Sequence, residues 1–214
     1  MARQRKALAA AQEALWGIDP VLDALIEVHG PAQLGPPTPV GERFTALAES
    51  IAYQQLNGRA AATIWGRVVD ALDGDVTPAA VLAAGEARLR PCGLSGAKTA
   101  SLLDLAAHAE RGELPLERLG RLADEEVIAS LIPVRGIGRW TAHMFLMFNL
   151  GRLDVWPTGD YGVRNGYSIA WDLGRHPTER EIAPMADRFA GSRSLVAWYC
   201  WRAADTVNQQ SGRS

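Results

Sequence analysis

An all-α fold is predicted for this 214-residue chain by three observations. Apolar residues recur at helical spacing along most of its length. No segment keeps up the apolar/polar alternation of a half-buried strand. Clusters of glycine and proline cut the chain into pieces of helix length.

The elements follow in chain order. Gly30-Pro31 and Gly35-Pro36-Pro37-Thr38-Pro39 form a loop between the N-terminal helices and the first long amphipathic one. Residues 42–52 place Phe44, Leu47 and Ile51 three and four apart, on one face. Residues 59–73 do the same with Ala61, Ile64, Trp65, Val68 and Leu72, and Asp73-Gly74-Asp75 ends that helix. A turn from Gly93 to Gly96 precedes residues 97–109, which align Leu102, Leu105, Ala106 and Ala109. Pro157-Thr158-Gly159 makes a further turn. Thr178 and Glu181 have the capping-box spacing of a helix start, and Ile182, Met185 and Phe189 follow on its apolar side within 178–190. The polar tail 208–214, Asn208 to Ser214, is expected to fray.

Composition excludes several classes. Hydrophobic residues at 48% and charged residues at 21% rule out a disordered or fibrous chain. The longest strongly apolar run, Trp140 to Gly151, is 12 residues, short of the roughly 18 that a membrane helix needs. The basic N-terminus lacks an apolar signal core and carries Glu13, which points to a cytoplasmic protein. Cys92 and Cys200 are too few and too far apart for a metal cluster or a disulfide framework, and both are expected to be reduced. His29, His108, His143 and His176 show no metal-ligand spacing, so neither a metal nor a cofactor is implied. Gly162 and Gly166 follow no strand and make no nucleotide-binding fingerprint.

Net charge is −2, with 20 of the 22 basic residues being arginine. Residues 131–175 carry +2 and residues 176–214 carry +1, whereas the segments before them are acidic. A phosphate-binding surface must therefore be local and drawn mainly from the C-terminal third.

The most informative stretch is 131–149, LIPVRGIGRWTAHMFLMFN. Leu131 and Ile132 close one helix, Gly136-Ile137-Gly138 turns tightly, and a second helix starts near Arg139. Glycines flanking one apolar residue let the backbone turn and let a ligand approach closely. Amides exposed by such a turn suit an anion, phosphate above all. A plain helix–helix connection with a glycine C-cap would use the same residues.

GIGRWTA followed by an apolar helix, and then a polar turn in DVWPTGDYGVRNGY (154–167), resembles the helix-hairpin-helix DNA glycosylases. Within them the sequence is most similar to the alkylation-repair branch, the 3-methyladenine DNA glycosylases. SIAYQQLNGRAA (50–61) and CGLSGAKTASLLDLA (92–106) extend the likeness, which covers about 44 to 202 in four ordered blocks. The resemblance implies one glycosylase unit of two helical lobes with a DNA-binding cleft between them. Lobe A would span about 41–154, including the hairpin 131–149. Lobe B would combine about 1–40 with 155–207.

It also implies roles. Gly136, Ile137, Gly138, Arg139 and Thr141 would grip the DNA backbone, with Arg135 adding a phosphate contact. The family usually has proline where Arg135 stands; here the proline is Pro133. Asp160 falls where the family keeps its catalytic aspartate. Trp140 replaces the nucleophilic lysine of the branch that also has lyase activity. Tryptophan forms no Schiff base, so a monofunctional enzyme is implied. The four-cysteine iron–sulfur pattern of the endonuclease III branch is missing, in the same sense. His143 and Met144 stand where an aromatic residue is common, which alters the base pocket.

The loop Gln54-Gln55-Leu56-Asn57 fits the wedge that fills the gap left by an extruded base, through Leu56 or Asn57. Gln55 as a helix cap and Leu56 as a core residue is the plainer alternative. Trp201 lies where the resembling enzymes stack an aromatic on the extruded base, with Trp140 and Tyr161 as further pocket walls and Trp198 either pocket or core; Trp16, Trp65 and Trp171 are assigned to the core. Asp160, after Pro-Thr-Gly, also reads as a helix N-cap, and one residue can do both.

The expected activity is excision of N3-methyladenine and related cationic purines from double-stranded DNA, by a monomer working on the nucleoid. Two rivals remain: a non-catalytic module that binds damaged DNA, and a glycosylase for neutral deaminated or oxidised bases, with His143 as its one suggestive donor.

Overall fold

The computed structural model describes residues 2–211. Among them are eleven α-helices and no strand: α1 (Ala2–Glu13), α2 (Pro20–His29), α3 (Arg43–Tyr53), α4 (Gly58–Ala71), α5 (Pro78–Leu89), α6 (Gly96–Glu110), α7 (Asp124–Leu131), α8 (Arg139–Met144), α9 (Tyr161–Ala170), α10 (Glu179–Met185) and α11 (Arg193–Ser211). The chain is all-α, as the periodicity requires.

Most helices begin at a residue chosen for the job. Asp19, Asn57, Thr77, Ser95, Asp160 and Thr178 each accept a backbone N–H two or three residues on. Such a cap is worth ~1 kcal/mol, because it satisfies an amide the helix itself leaves without a partner. The Thr178–Glu181 capping box forms in both directions. Asp73 and Gly74 end α4 with positive φ of 56° and 81°.

The chain divides into two compact units, one of residues 38–145 and one of residues 1–37 with 146–214. In the first, Phe44, Leu47 and Ile51 of α3 are buried with Val68 of α4 and Leu102 and Leu105 of α6. Each such side chain contributes ~1.5–3 kcal/mol of transfer free energy. In the second, Val163 and Tyr167 of α9 are buried with Val196, Tyr199 and Cys200 of α11 and Leu22 and Ile26 of α2.

Three expectations need correction. Trp16, assigned to the core, lies in the turn after α1 and is 48% exposed. The apolar stretch 178–190 is not one helix: α10 stops at Met185, one residue after Pro184, and a 3₁₀ turn, Asp187–Phe189, completes the buried face. The tail beginning at Asn208 is still helical to Ser211; residues 212–214 lie outside the described residues.

Candidate active site

In the unit 38–145, α7 ends at Leu131 and α8 starts at Arg139, which is the helix–turn–helix anticipated in the first part of 131–149. Gly136 has φ +78°, and a Cβ built there would sit 2.5 Å from Ser101 Oγ. Both backbone sterics and the neighbouring helix demand a glycine. Gly138 differs. It has ordinary φ, and a Cβ would meet nothing within 4 Å. Ile137 is 3% exposed and its N–H donates to the Val134 carbonyl at 3.1 Å, so it anchors the turn in the core and leaves Gly136 and Gly138 as the exposed positions.

The turn is held from three sides. The Arg135 backbone N–H donates to Asp104 Oδ2 at 2.7 Å, Gln54 Nε2 donates to the Gly136 carbonyl at 2.9 Å, and Ser101 packs beneath Gly136. Arg139 is paired with Glu125 of α7 at 2.5 Å, on the exposed side. The Thr141 side chain is buried, whereas Trp140 is 47% exposed.

Beside the hairpin lies the 54–57 loop. Lys98 Nζ donates to the Ala52 carbonyl at 2.8 Å and so fixes the end of α3 from which the loop springs. Asn57 Oδ1 accepts from Ala60 N at 2.9 Å as the α4 cap. Gln55 sits at φ +56°, which only a few per cent of non-glycine residues adopt, and is exposed. Leu56 is 40% exposed, not core. Tyr53, Gln55, Leu56, Gly136, Trp140 and Met144 line a cavity of about 640 Å³. His143 is half-buried; burial, and then the Arg139 charge, hold it below its ordinary 6.5.

In the other unit, residues 150–160 are irregular but pinned. Ser194 Oγ accepts from Val155 N at 2.9 Å and donates to the Arg152 carbonyl at 2.8 Å. Trp156 Nε1 donates to the Ile182 carbonyl at 3.0 Å, and Asp154 Oδ1 accepts from Gly191 N at 2.7 Å. This segment delivers Asp160 to the start of α9. Asp160 is 8% exposed, and its Oδ1 accepts from Val163 N at 2.7 Å and from Trp201 Nε1 at 2.9 Å. Cys200, wholly buried, has its thiol pushed up by burial first and by the Asp160 charge second.

Trp201 and Asp160 thus meet, 41 residues apart in sequence. Tyr161 is 63% exposed and leans on His176, with ring centroids 5.3 Å apart. Trp198 makes ring contacts with Tyr199 at 5.1 Å and with the Arg202 guanidinium at 5.4 Å. Trp171 is part of the packing, stacked on Tyr167 at 4.0 Å.

Two glycines of α9 were passed over by reading the sequence for ligand motifs. A Cβ on Gly166 would lie 1.7 Å from the Cys200 carbonyl oxygen, and one on Gly162 would lie 2.8 Å from Trp201 Cδ1. They make α9 smooth enough for α11 to lie directly against it. The G-x-x-x-G spacing at 162–166 was the available signal. Among the described residues no group of three His, Cys, Asp or Glu side chains is placed to hold a metal ion. None of the described helices is long and apolar enough to cross a membrane.

The same arrangement of elements occurs in known proteins. A solved structure of the Schizosaccharomyces pombe 3-methyladenine DNA glycosylase in complex with abasic DNA matches with a TM-score of 0.80 and 33% identity, over 90% of this chain and 95% of that one. A Bacillus halodurans protein described as a DNA-3-methyladenine glycosidase matches with a TM-score of 0.80 and 32% identity, over 97% and 91%. In sequence, the S. pombe DNA-3-methyladenine glycosylase 1 is 32% identical over 200 residues, covering 92% of this chain and 88% of the relative. The model of the HhH-GPD superfamily of base excision DNA repair proteins matches residues 48–188, and the chain belongs to that family.

Proposed function

We propose that this protein is a monofunctional DNA glycosylase that excises alkylated purines, N3-methyladenine and related cationic bases, by hydrolysing the N-glycosidic bond and leaving an abasic site. The relatives at about one-third identity are named 3-methyladenine DNA glycosylases. The observation that carries the chemistry is the buried carboxylate of Asp160, held by a backbone amide and an indole N–H. Cleaving the glycosidic bond builds oxocarbenium character on the deoxyribose, and a fixed carboxylate stabilises that charge as it develops. The same group orients or deprotonates the attacking water. A base made cationic by alkylation leaves without being protonated, so one carboxylate suffices. Trp140 offers no amine, which is why no lyase step follows.

In this reading the hairpin from Arg135 to Thr141 meets the DNA backbone. Gly138 supports it, because nothing inside the protein requires a glycine there. Arg139 exchanges Glu125 for a phosphate. Of the four loop side chains, Gln54 and Asn57 are bonded within the protein, so the exposed Gln55-Leu56 tip is what enters the base stack. Trp201 stacks on the extruded cationic base with ~0.5–2 kcal/mol of cation–π attraction. Tyr161, Trp198, Trp140, His143 and Met144 shape the rest of the pocket. The protein acts as a monomer on chromosomal DNA in the cytoplasm.

The test is base release from methylated duplex DNA by the wild type and by Asp160→Asn, with each freed base identified. Release of N3-methyladenine that disappears in the variant is the expected result. Tight binding to abasic-site DNA with no released base from either protein would instead favour a non-catalytic damage-binding module, in which Asp160 only caps α9.

A further inference from the structure

A five-residue π-helical turn, Phe145–Asn149, follows α8 directly. Such turns are rare, and they concentrate at functional sites because they push a side chain out of regular register. Here it presents Phe148, which is 38% exposed and stacks offset on Trp201, with ring centroids 5.8 Å apart and planes at 28°. Trp201 in turn directs Nε1–H at Asp160 Oδ1, the oxygen that also receives the Val163 amide. The third feature is Gly162, where a Cβ would stand 2.8 Å from Trp201 Cδ1 and 3.1 Å from both Trp201 Nε1 and Asp160 Oδ1. The backbone has been cleared so that the indole edge can reach the carboxylate.

We infer that Trp201 and Phe148 are positioning residues for Asp160: Phe148 braces the indole, and the indole N–H locks the carboxylate's orientation. A donor at a helix start leaves a carboxylate some freedom to turn about its Cβ–Cγ bond. A further donor on the same oxygen, arriving from another helix, narrows that freedom. A group that must face a developing positive charge gains most from being held still beforehand. The role also explains the residue type. Phenylalanine would stack on a base nearly as well, but it has no N–H to offer. Trp201 therefore serves the reacting centre as well as the base, and Phe148 serves it through Trp201. The inference rests on Asp160 acting at that centre.

The test pairs single-turnover base release with affinity for abasic-site duplex, and adds the Trp201 indole ¹H–¹⁵N resonance in the DNA-free protein. Trp201→Phe is expected to lower the release rate ~10–100-fold while changing duplex affinity less than ~2-fold, the split that marks a transition-state effect. Gly162→Ala, intrinsically the better helix former, is expected to displace the indole resonance and slow release ~5-fold or more. Phe148→Leu shifts both in the same sense by less. Wild-type release by Trp201→Phe, equal losses of rate and affinity, or an indole resonance unmoved in Gly162→Ala would each overturn the inference. If the wild type frees no base, the excision reading fails on its own, and the resonance experiment still judges whether Trp201 holds the carboxylate.

Discussion

The hairpin and the Asp160 site solve opposite problems. At 135–141 the proposed DNA contact is a turn around a left-handed glycine, steadied by Gln54 of the loop after α3 and by Asp104 of α6. At Asp160 the proposed catalytic group is one side chain, 8% exposed and bonded to an indole N–H 41 residues away. The first is set by backbone conformation, and its charges are exposed. The second is a packing device in which a misplaced methyl group matters more than a lost surface charge. Exposed anion contacts weaken with salt but tolerate small shifts, whereas stabilising an oxocarbenium centre, the proposed role of Asp160, depends on a group fixed to within fractions of an ångström.

The sharpest way to break the comparison is Asp160→Asn. Asparagine still caps α9, so the fold should survive while base release falls about 10²–10³-fold; thermal unfolding measured alongside separates the two. Next comes Gly166→Ala. Its methyl group meets the Cys200 carbonyl, and the expected loss is about 3 kcal/mol of stability, read as a lower Tm, because α9 and α11 must move apart. Gly136→Ala is the matching change in the hairpin. Strain at positive φ and the clash with Ser101 should cost about 1–3 kcal/mol, with DNA affinity falling as well.

Smaller effects sharpen the electrostatic half. Arg139→Ala should weaken binding to any duplex by roughly 3–10-fold and reduce the slope of log affinity against log salt by about one. Glu125→Gln should strengthen binding by releasing Arg139 from its partner; an unchanged affinity would show that the pair does not compete with DNA. The smallest effect is on pH. Burial holds His143 below 6.5 in the folded protein, so the unfolded chain takes up a proton first as pH falls. The stability tied to neutral His143 is complete above pH 6.5 and drains below it. His143→Gln should flatten that slope in urea unfolding between pH 7.5 and 5.

Reading the residues alone went furthest where structure is local. Phe44, Leu47 and Ile51, the Thr178–Glu181 box and the Gly136 turn all follow from spacing or backbone conformation within a few residues. The resemblance to helix-hairpin-helix glycosylases singled out Asp160 and Trp201. It did not supply the bond between them, nor the brace from Phe148, nor the reason for Gly162 and Gly166. Gln55 and Leu56 illustrate the same limit. Cap chemistry proposed Gln55, but the fold gave the cap to Asn57 and left Gln55 and Leu56 exposed at the tip.

The amino-acid sequence by itself determined the helical segments, the Thr178–Glu181 box and the left-handed glycine of the hairpin, because each is settled by backbone preference or by residues at most a few positions apart. Only the tertiary structure decided which face of α9 meets α11, which carboxylate oxygen receives the indole N–H, and which loop side chains stay outside. Those depend on how two surfaces distant in sequence fit at contact distance, and close packing lets a single Cβ choose the answer.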